Sequence, residues 1–292
     1  GVARFLRVAL PDATTLEFLA ATLVAVGGAV RPTLSGNAHV ASAACMLLAT
    51  AALAEGRLWR AAAWAPFAVA AKAAPLVFAG LLALFRPLAF GSRLAVALGL
   101  AAATPILVAG VDGCRAVYAS WFEHLGSSHA DRWPSFRDLW NIWELAGGFD
   151  LARYRVVQAV LGLATAAAVL VLVRRPGPLA PRVVAGAGLA QAYLLLCGPA
   201  VEFTQFVVIA PWLAVAAVSS YKRRKDFGLA LTAAVTALAL GNSPVEKLFV
   251  KALGTPWPEA FSTAGIALYV VWSLRNLPPA EPADGAGRGV PA

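Results

Sequence analysis

Residues 61–85 read AAAWAPFAVAAKAAPLVFAGLLALF, an apolar run interrupted by Lys72 and then Pro75. As one helix it would reach about 37 Å, enough for a tilted crossing of a hydrocarbon core about 30 Å thick; each half alone reaches about 17 Å. Length therefore permits either one crossing or an entry and return, and charge separates the two. The basic clusters are Arg4/Arg7, Arg57/Arg60, Arg86/Arg93, Arg174/Arg175/Arg182, KRRK at Lys222–Lys225, and Arg275. Basic loops gather on the cytoplasmic side of helical membrane proteins. A single crossing over 61–85 sets Arg4/Arg7 and Arg57/Arg60 across the membrane from KRRK. An entry and return puts all six clusters on one side. The pattern predicts a re-entrant helical hairpin with its bend near KAAP, where Pro75 lacks a backbone donor and biases the residue before it away from helix.

The surrounding chain makes a membrane the natural setting. Of 292 residues, 60% are hydrophobic and 13% charged, against about 45–50% and about 25% in a soluble domain. The apolar residues come as long Ala/Leu/Val runs, so the expected fold is all-α, a polytopic helical membrane protein. About eight spans are expected, near 16–31, 37–54, 94–111, 156–173, 183–199, 203–220, 227–241 and 260–274. Since the basic residues fall between apolar runs, the net charge of +9 reflects topology and no nucleic-acid partner is expected. Cys45, Cys114 and Cys197 have no metal-ligand spacing; Cys45 and Cys197 fall in spans, as small buried hydrophobes. Residues 1–277 form one transmembrane domain. It opens on GVARFLRVALPD, which reads as the tail of an earlier segment, so an N-terminal part is expected to be missing. Residues 278–292, rich in Pro, Gly and Ala, read as a disordered cytoplasmic tail.

With the basic clusters inside, the outer surface holds 31–36, 112–155, 198–202 and 242–258. The 112–155 segment carries two aromatic stripes: Val117, Tyr118, Trp121, Phe122 and Leu125, then Phe136, Leu139, Trp140 and Trp143 behind Ser135 as a helix cap. Such helices lie in the membrane interface, with Trp residues as anchors or as platforms for a sugar face. Glu123, His124, His129 and Asp131 in the same segment read as solvated loop residues before they read as metal ligands.

Three groups could carry chemistry. In RPTLSGNAH, residues 31–39, Asn37 either caps the next helix, leaving His39 partly exposed, or both residues contact a ligand. In GPAVEFTQF, residues 198–206, Glu202 and Gln205 share a helix face, as capping residues or as ligand contacts. Lys72 either snorkels toward headgroups or faces a cavity, and a bend deep in the bilayer favours the cavity. No phosphate loop, dinucleotide fingerprint or Gly-x-Ser-x-Gly element is present.

The order of these elements resembles one family. RPTLSGNAH leads into an apolar helix and then EGRLWRAAAWAPFAVAAKAAPLVFAGLLALFR. This is similar to the central region of polyprenol-phosphate-mannose-dependent mannosyltransferases, glycosyltransferase family 87 of the GT-C superfamily. That family shows a Pro, a Gly-Gln-x-Asn element, a Gly-containing basic loop, then an Ala/Leu run with Lys and Pro before the next basic loop. Gly36, Arg57/Arg60, Lys72, Pro75 and Arg86 follow that order, and VEFTQFVVIAPWLAV, residues 201–215, matches a later polar element before a Pro-containing helix. The likeness covers roughly residues 16–220. This chain departs from it in having Gly36-Asn37-Ala38-His39 for Gly-Gln-x-Asn, and Thr204 and Gln205 where paired His is common.

The resemblance implies an inverting hexosyltransferase, multi-pass in a bacterial plasma membrane. It would move mannose from a polyprenyl-phosphate donor to a lipid or glycan acceptor on the outer side. Arg31 and Lys72 would bind the donor phosphate, and Asn37, His39, Glu202 and Gln205 the sugar or acceptor. No cofactor or resident metal is implied, and a divalent ion is left open. The family's acidic catalytic residue lies in a first outer loop that would precede Gly1, so no residue here is assigned as the base. A lipid-linked-solute transporter or flippase, or a non-catalytic relative, are the alternatives. The absence of an internal repeat and of a second broken segment weighs against transport.

Overall fold

A computed structural model describes residues 1–34, 36–127, 139–140, 143, 147–148, 150–198 and 207–241. Among the described residues there are eleven helices and no strand: α1 (Val2–Ala9), α2 (Thr15–Gly27), α3 (Val30–Leu34), α4 (Ala38–Ala54), α5 (Leu58–Ala71), α6 (Pro75–Ala83), α7 (Gly91–Ser127), α8 (Leu151–Arg174), α9 (Leu179–Cys197), α10 (Ala210–Arg224) and α11 (Phe227–Gly241). Their starts follow local chemistry. Thr14 and Glu17 form a reciprocal capping box for α2, Asn37 caps α4, Asp150 caps α8, and Pro75 stands at the start of α6. Each satisfies, or in the proline's case removes, an amide that a helix start leaves unbonded.

The core lies among α1, α2, α4, α5, α6, α9 and α10, and small residues let it close. Ala51, Ala52, Ala61, Ala62, Ala187, Ala190 and Ala214 are fully buried. Because lipid tails are as apolar as leucine, packing between helices in a bilayer relies on such close approach. A Cβ added at Gly28 would sit 2.5 Å from the Ala210 Cβ and 2.8 Å from the Ala237 carbonyl oxygen, so this glycine lets α10 and α11 pack beside the end of α2.

The apolar run over 61–85 is broken. α5 ends at Ala71, Lys72 is extended (φ −159°, ψ 146°), and α6 starts at Pro75. The two limbs are about 21 and 13 Å long. Beyond α6 the chain comes back to where α5 began: the Arg93 guanidinium lies over the Trp59 ring, 5.5 Å from its centre. Arg57/Arg60 and Arg86/Arg93 therefore share one end of the bundle.

Other contacts bring further basic clusters to that end. Arg4 pairs with Glu55, which also meets Arg57 at 3.4 Å. Arg7 lies over Phe18 at 5.8 Å, and Lys222 reaches Glu17 at 3.3 Å and the Asp12 carbonyl. Phe85 abuts Gly186 and through it the end of α8, where Arg182 donates to the carbonyls of Val173, Arg175 and Pro178. Five of the six clusters thus converge; Arg275 lies outside the described residues. Arg182 closes the last turn of α8, whose final carbonyls lack helical donors. Arg182→Met is expected to lower stability by about 1–2 kcal/mol, read as thermal unfolding in detergent.

The hydrogen bond from Arg4, with the charges of Arg4, Arg57 and Arg60, holds the Glu55 carboxyl below its ordinary value. A lowered native value means stabilisation that is complete above the unfolded value and fades as the pH falls through the native one. The difference in unfolding temperature between wild type and Glu55→Gln is therefore expected at neutral pH and to vanish well below about pH 4.3. The site is open to solvent, so the effect is about 1 kcal/mol or less.

Three helical stretches are long and apolar enough to cross a membrane: Gly91–Glu123, Leu151–Arg174 and Leu179–Cys197. The other expected spans are shorter as helices or lie outside the described residues. The 16–31 span divides into α2 and the five-residue α3 at Gly28–Ala29. The described helix within 203–220 starts at Ala210, and α10 and α11 have 15 residues each. The 94–111 span ends as expected, at a break not foreseen. Gly110 has φ 70° and ψ −177°, a conformation open essentially to glycine alone. The Tyr118 hydroxyl then donates to the Ala102 carbonyl at 2.7 Å, residues that would stand about 24 Å apart along a straight helix. The chain folds back sharply on itself and brings Tyr118 beside the preceding helix, while Val117, Trp121 and Phe122 stay exposed. Gly110→Ala is expected to cost about 1–3 kcal/mol, measurable as a drop in thermal midpoint. Ser135, Phe136, His129, Asp131 and residues 260–292 lie outside the described residues, as does the His124 side chain.

Candidate functional site

The end of the bundle opposite the basic clusters gathers part of the expected site. Asn37 caps α4 through its side-chain oxygen, which accepts from the His39 amide at 3.0 Å. This meets the capping expectation. His39 is not partly exposed as that expectation required: it is 4% exposed, on the buried side of a first turn whose Ala38 and Ala41 stay exposed. Lys72 comes to the same level. The Ala68 carbonyl accepts both the Lys72 amide at 3.2 Å and the Ser42 hydroxyl at 3.3 Å. Lys72 stands one turn beyond Ala68, and Ala38 one turn before Ser42, so antiparallel α4 and α5 set Lys72 beside the start of α4. The expected cavity around the ammonium is absent from its immediate setting: the Lys72 side chain is exposed. A pocket does lie inside the bend, but its lining is apolar, including Met46, Ala68, Pro75, Phe78 and Phe90. At the level where α4 starts, about 25 Å from Glu55, the ammonium can meet an anionic group directly.

The same end receives the start of α8 and the end of α9. Gln158 Nε2 donates to the Cys197 carbonyl, and the Tyr193 hydroxyl to the Gln158 carbonyl at 3.3 Å. Glu202 and Gln205 follow in sequence but lie outside the described residues. The Arg31 backbone belongs to α3, and its side chain is outside the description. The structure thus sets Asn37, His39 and Lys72 at one level of the bundle, the imidazole buried and Lys72 exposed, and leaves Arg31, Glu202 and Gln205 without a described side-chain position. Sequence reasoning missed Ser42, whose bond to a carbonyl on another helix has no local signature. Trp140, expected as an interfacial anchor or a sugar platform, is instead buried against Tyr154 with ring centres 5.1 Å apart. Among the described residues no group of three His, Cys, Asp or Glu could hold a metal ion.

These features define a class: an all-α protein with several helices able to span a membrane and a polar end opposite a basic one. No protein-family model, curated protein or solved structure matches the chain.

Proposed function

We propose that this chain is an integral-membrane glycosyltransferase, moving a hexose, mannose by resemblance, from a polyprenyl-phosphate donor to a lipid or glycan acceptor at the outer membrane face. The observation that carries this reading is the placement of Asn37, His39 and Lys72 at one level, at the end of the bundle away from the basic clusters. In a bilayer with the basic end inside, residues 61–85 enter and return, and Lys72 comes to the level of the start of α4, toward the outer face. Its ammonium is then placed to neutralise the donor phosphate and the charge that grows on it as the sugar departs. Arg31 would assist, while Asn37, His39, Glu202 and Gln205 would contact sugar or acceptor. This reading assigns no catalytic base to any of them.

Membranes containing the full-length protein, given a radiolabelled polyprenyl-phosphate mannose, are expected to transfer label to an endogenous acceptor. No transfer above control membranes would remove the reading. A second reading, transport of a lipid-linked or anionic solute, gains from the break at Gly110, which supplies the second interrupted helix that the sequence did not reveal. Label that crosses the bilayer of a proteoliposome without changing its carrier would favour transport. The orientation has its own test. Single cysteines at Arg57 and Arg86 are expected to react with an impermeant reagent from the cytoplasmic side only; labelling from opposite sides would reject the entry and return.

A further inference from the structure

Between Glu55 and Asp112 the sequence contains no acidic residue, yet it carries Arg57, Arg60, Lys72, Arg86 and Arg93. Glu55 is engaged by Arg4 and Arg57, and Arg60 contributes to its field. At the same end Lys222 has Glu17, and Arg182 has the α8 carbonyls. Arg86 and Arg93 differ. Among the described residues no carboxylate pairs with either. Arg86 is exposed, and Arg93 is held by the Ala89 carbonyl and by the face of Trp59.

The surroundings of these two arginines are those of a bilayer interface. Trp59 is 58% exposed, and Leu88, between the two arginines in sequence, is 88% exposed. From Arg93 the chain runs on along α7, an apolar stretch long enough to span, where Val96 and Leu100 stand exposed. Two guanidiniums without a carboxylate partner among the described residues, an amphipathic indole at the same level and an apolar helix face leading away match the parts of one phospholipid. Guanidinium binds phosphate in a two-pronged geometry and is weakly hydrated, and basic pockets between helices on the cytoplasmic side hold anionic headgroups.

We propose that Arg86, Arg93 and Trp59 form a binding site for an anionic phospholipid at the basic end of α7. The phosphodiester would lie between the two guanidiniums, Trp59 would pack at headgroup level, and the acyl chains would follow Val96 and Leu100. The site rests on the membrane placement in the reading above but not on the transfer reaction. It takes a lipid at the end of the bundle opposite Lys72.

The test is native mass spectrometry of the full chain released from detergent, with added phosphatidylglycerol or phosphatidylcholine. Wild type is expected to retain phosphatidylglycerol preferentially. Arg86→Gln with Arg93→Gln is expected to weaken that preference about tenfold. Arg86→Gln alone, at an exposed side chain without an ion pair, should lose part of it with an unchanged melting temperature. Arg174→Gln with Arg175→Gln should retain it, and millimolar inorganic phosphate should not compete. An undiminished preference in the Arg86/Arg93 variant would overturn the proposal, as would an equal loss in the Arg174/Arg175 variant. Effective competition by free phosphate would reassign the arginines to a soluble anion and also overturn it.

Discussion

Gly188→Val is expected to destabilise the fold by about 3 kcal/mol or more, the largest effect of any single substitution considered. A Cβ at Gly188 would lie 2.8 Å from Trp212 Cδ1 and 2.9 Å from its Nε1. A flexible side chain could yield, but this indole is fixed on two sides. Its Nε1–H donates to the Val184 carbonyl at 3.1 Å, and its ring packs on Phe5 with centroids 4.5 Å apart. Overpacking of this kind costs about 1–3 kcal/mol. Displacing the indole would also leave a buried donor unsatisfied, a further loss of about 1–3 kcal/mol. The damage would spread, since Trp212 joins α10 to both α9 and α1. Gly188→Ala should fall between wild type and Val. Thermal unfolding in detergent, followed by tryptophan fluorescence, would measure the series; a Val variant melting like wild type would mean that α9 and α10 do not approach this closely.

The interruption at Lys72–Ala74 was legible in the sequence because two independent signals coincide there. Pro75 cannot donate its amide and sits comfortably at a helix start, and basic residues flank the apolar run on both sides. The Gly110 reversal was not legible. A glycine near the end of an apolar run reads as an ordinary helix terminus, and only its backbone angles reveal that the chain doubles back. Gly113 was a further signal: a Cβ there would meet the Ala109 Cβ at 2.6 Å, so the pair of small residues lets the bend close. His39 was misjudged for a related reason. Its position next to a capping residue is local information, whereas its burial depends on neighbouring helices distant in sequence. The placement of Lys72 required the Ser42–Ala68 contact between α4 and α5, which no sequence spacing encodes. The expected 16–31 span ran long because hydropathy continues through Gly28, which is apolar but ends α2, whereas the helix around 156–173 is longer than expected and 227–241 has the expected bounds.

Under the proposed transfer reaction, Lys72→Met is expected to reduce turnover about ten- to fortyfold. A charge-assisted hydrogen bond to an ionised group is worth about 1.5–3 kcal/mol, and the exposed position of Lys72 places it toward the lower half of that range, because water screens the interaction. The negative charge on the carrier phosphate grows as the glycosidic bond breaks, so an ammonium that meets it binds the transition state better than the bound donor. The loss should therefore fall on kcat more than on KM. Methionine keeps an apolar stem and breaks no side-chain bond described here, so protein level and melting temperature should stay unchanged. Lys72→Arg keeps the charge and should recover much of the rate. A lysine that only snorkels would behave differently: its Met variant would transfer at the wild-type rate, and that result would remove Lys72 from the site. Ser42→Ala provides the intermediate case. It frees the Ala68 carbonyl from α4 and loosens the level at which Lys72 is held, so it should lower turnover less than Lys72→Met while the donor's chemistry is untouched. Arg174→Met, at the opposite end of the bundle and exposed, should leave the rate unaltered, separating a local role for Lys72 from a general effect of removing positive charge.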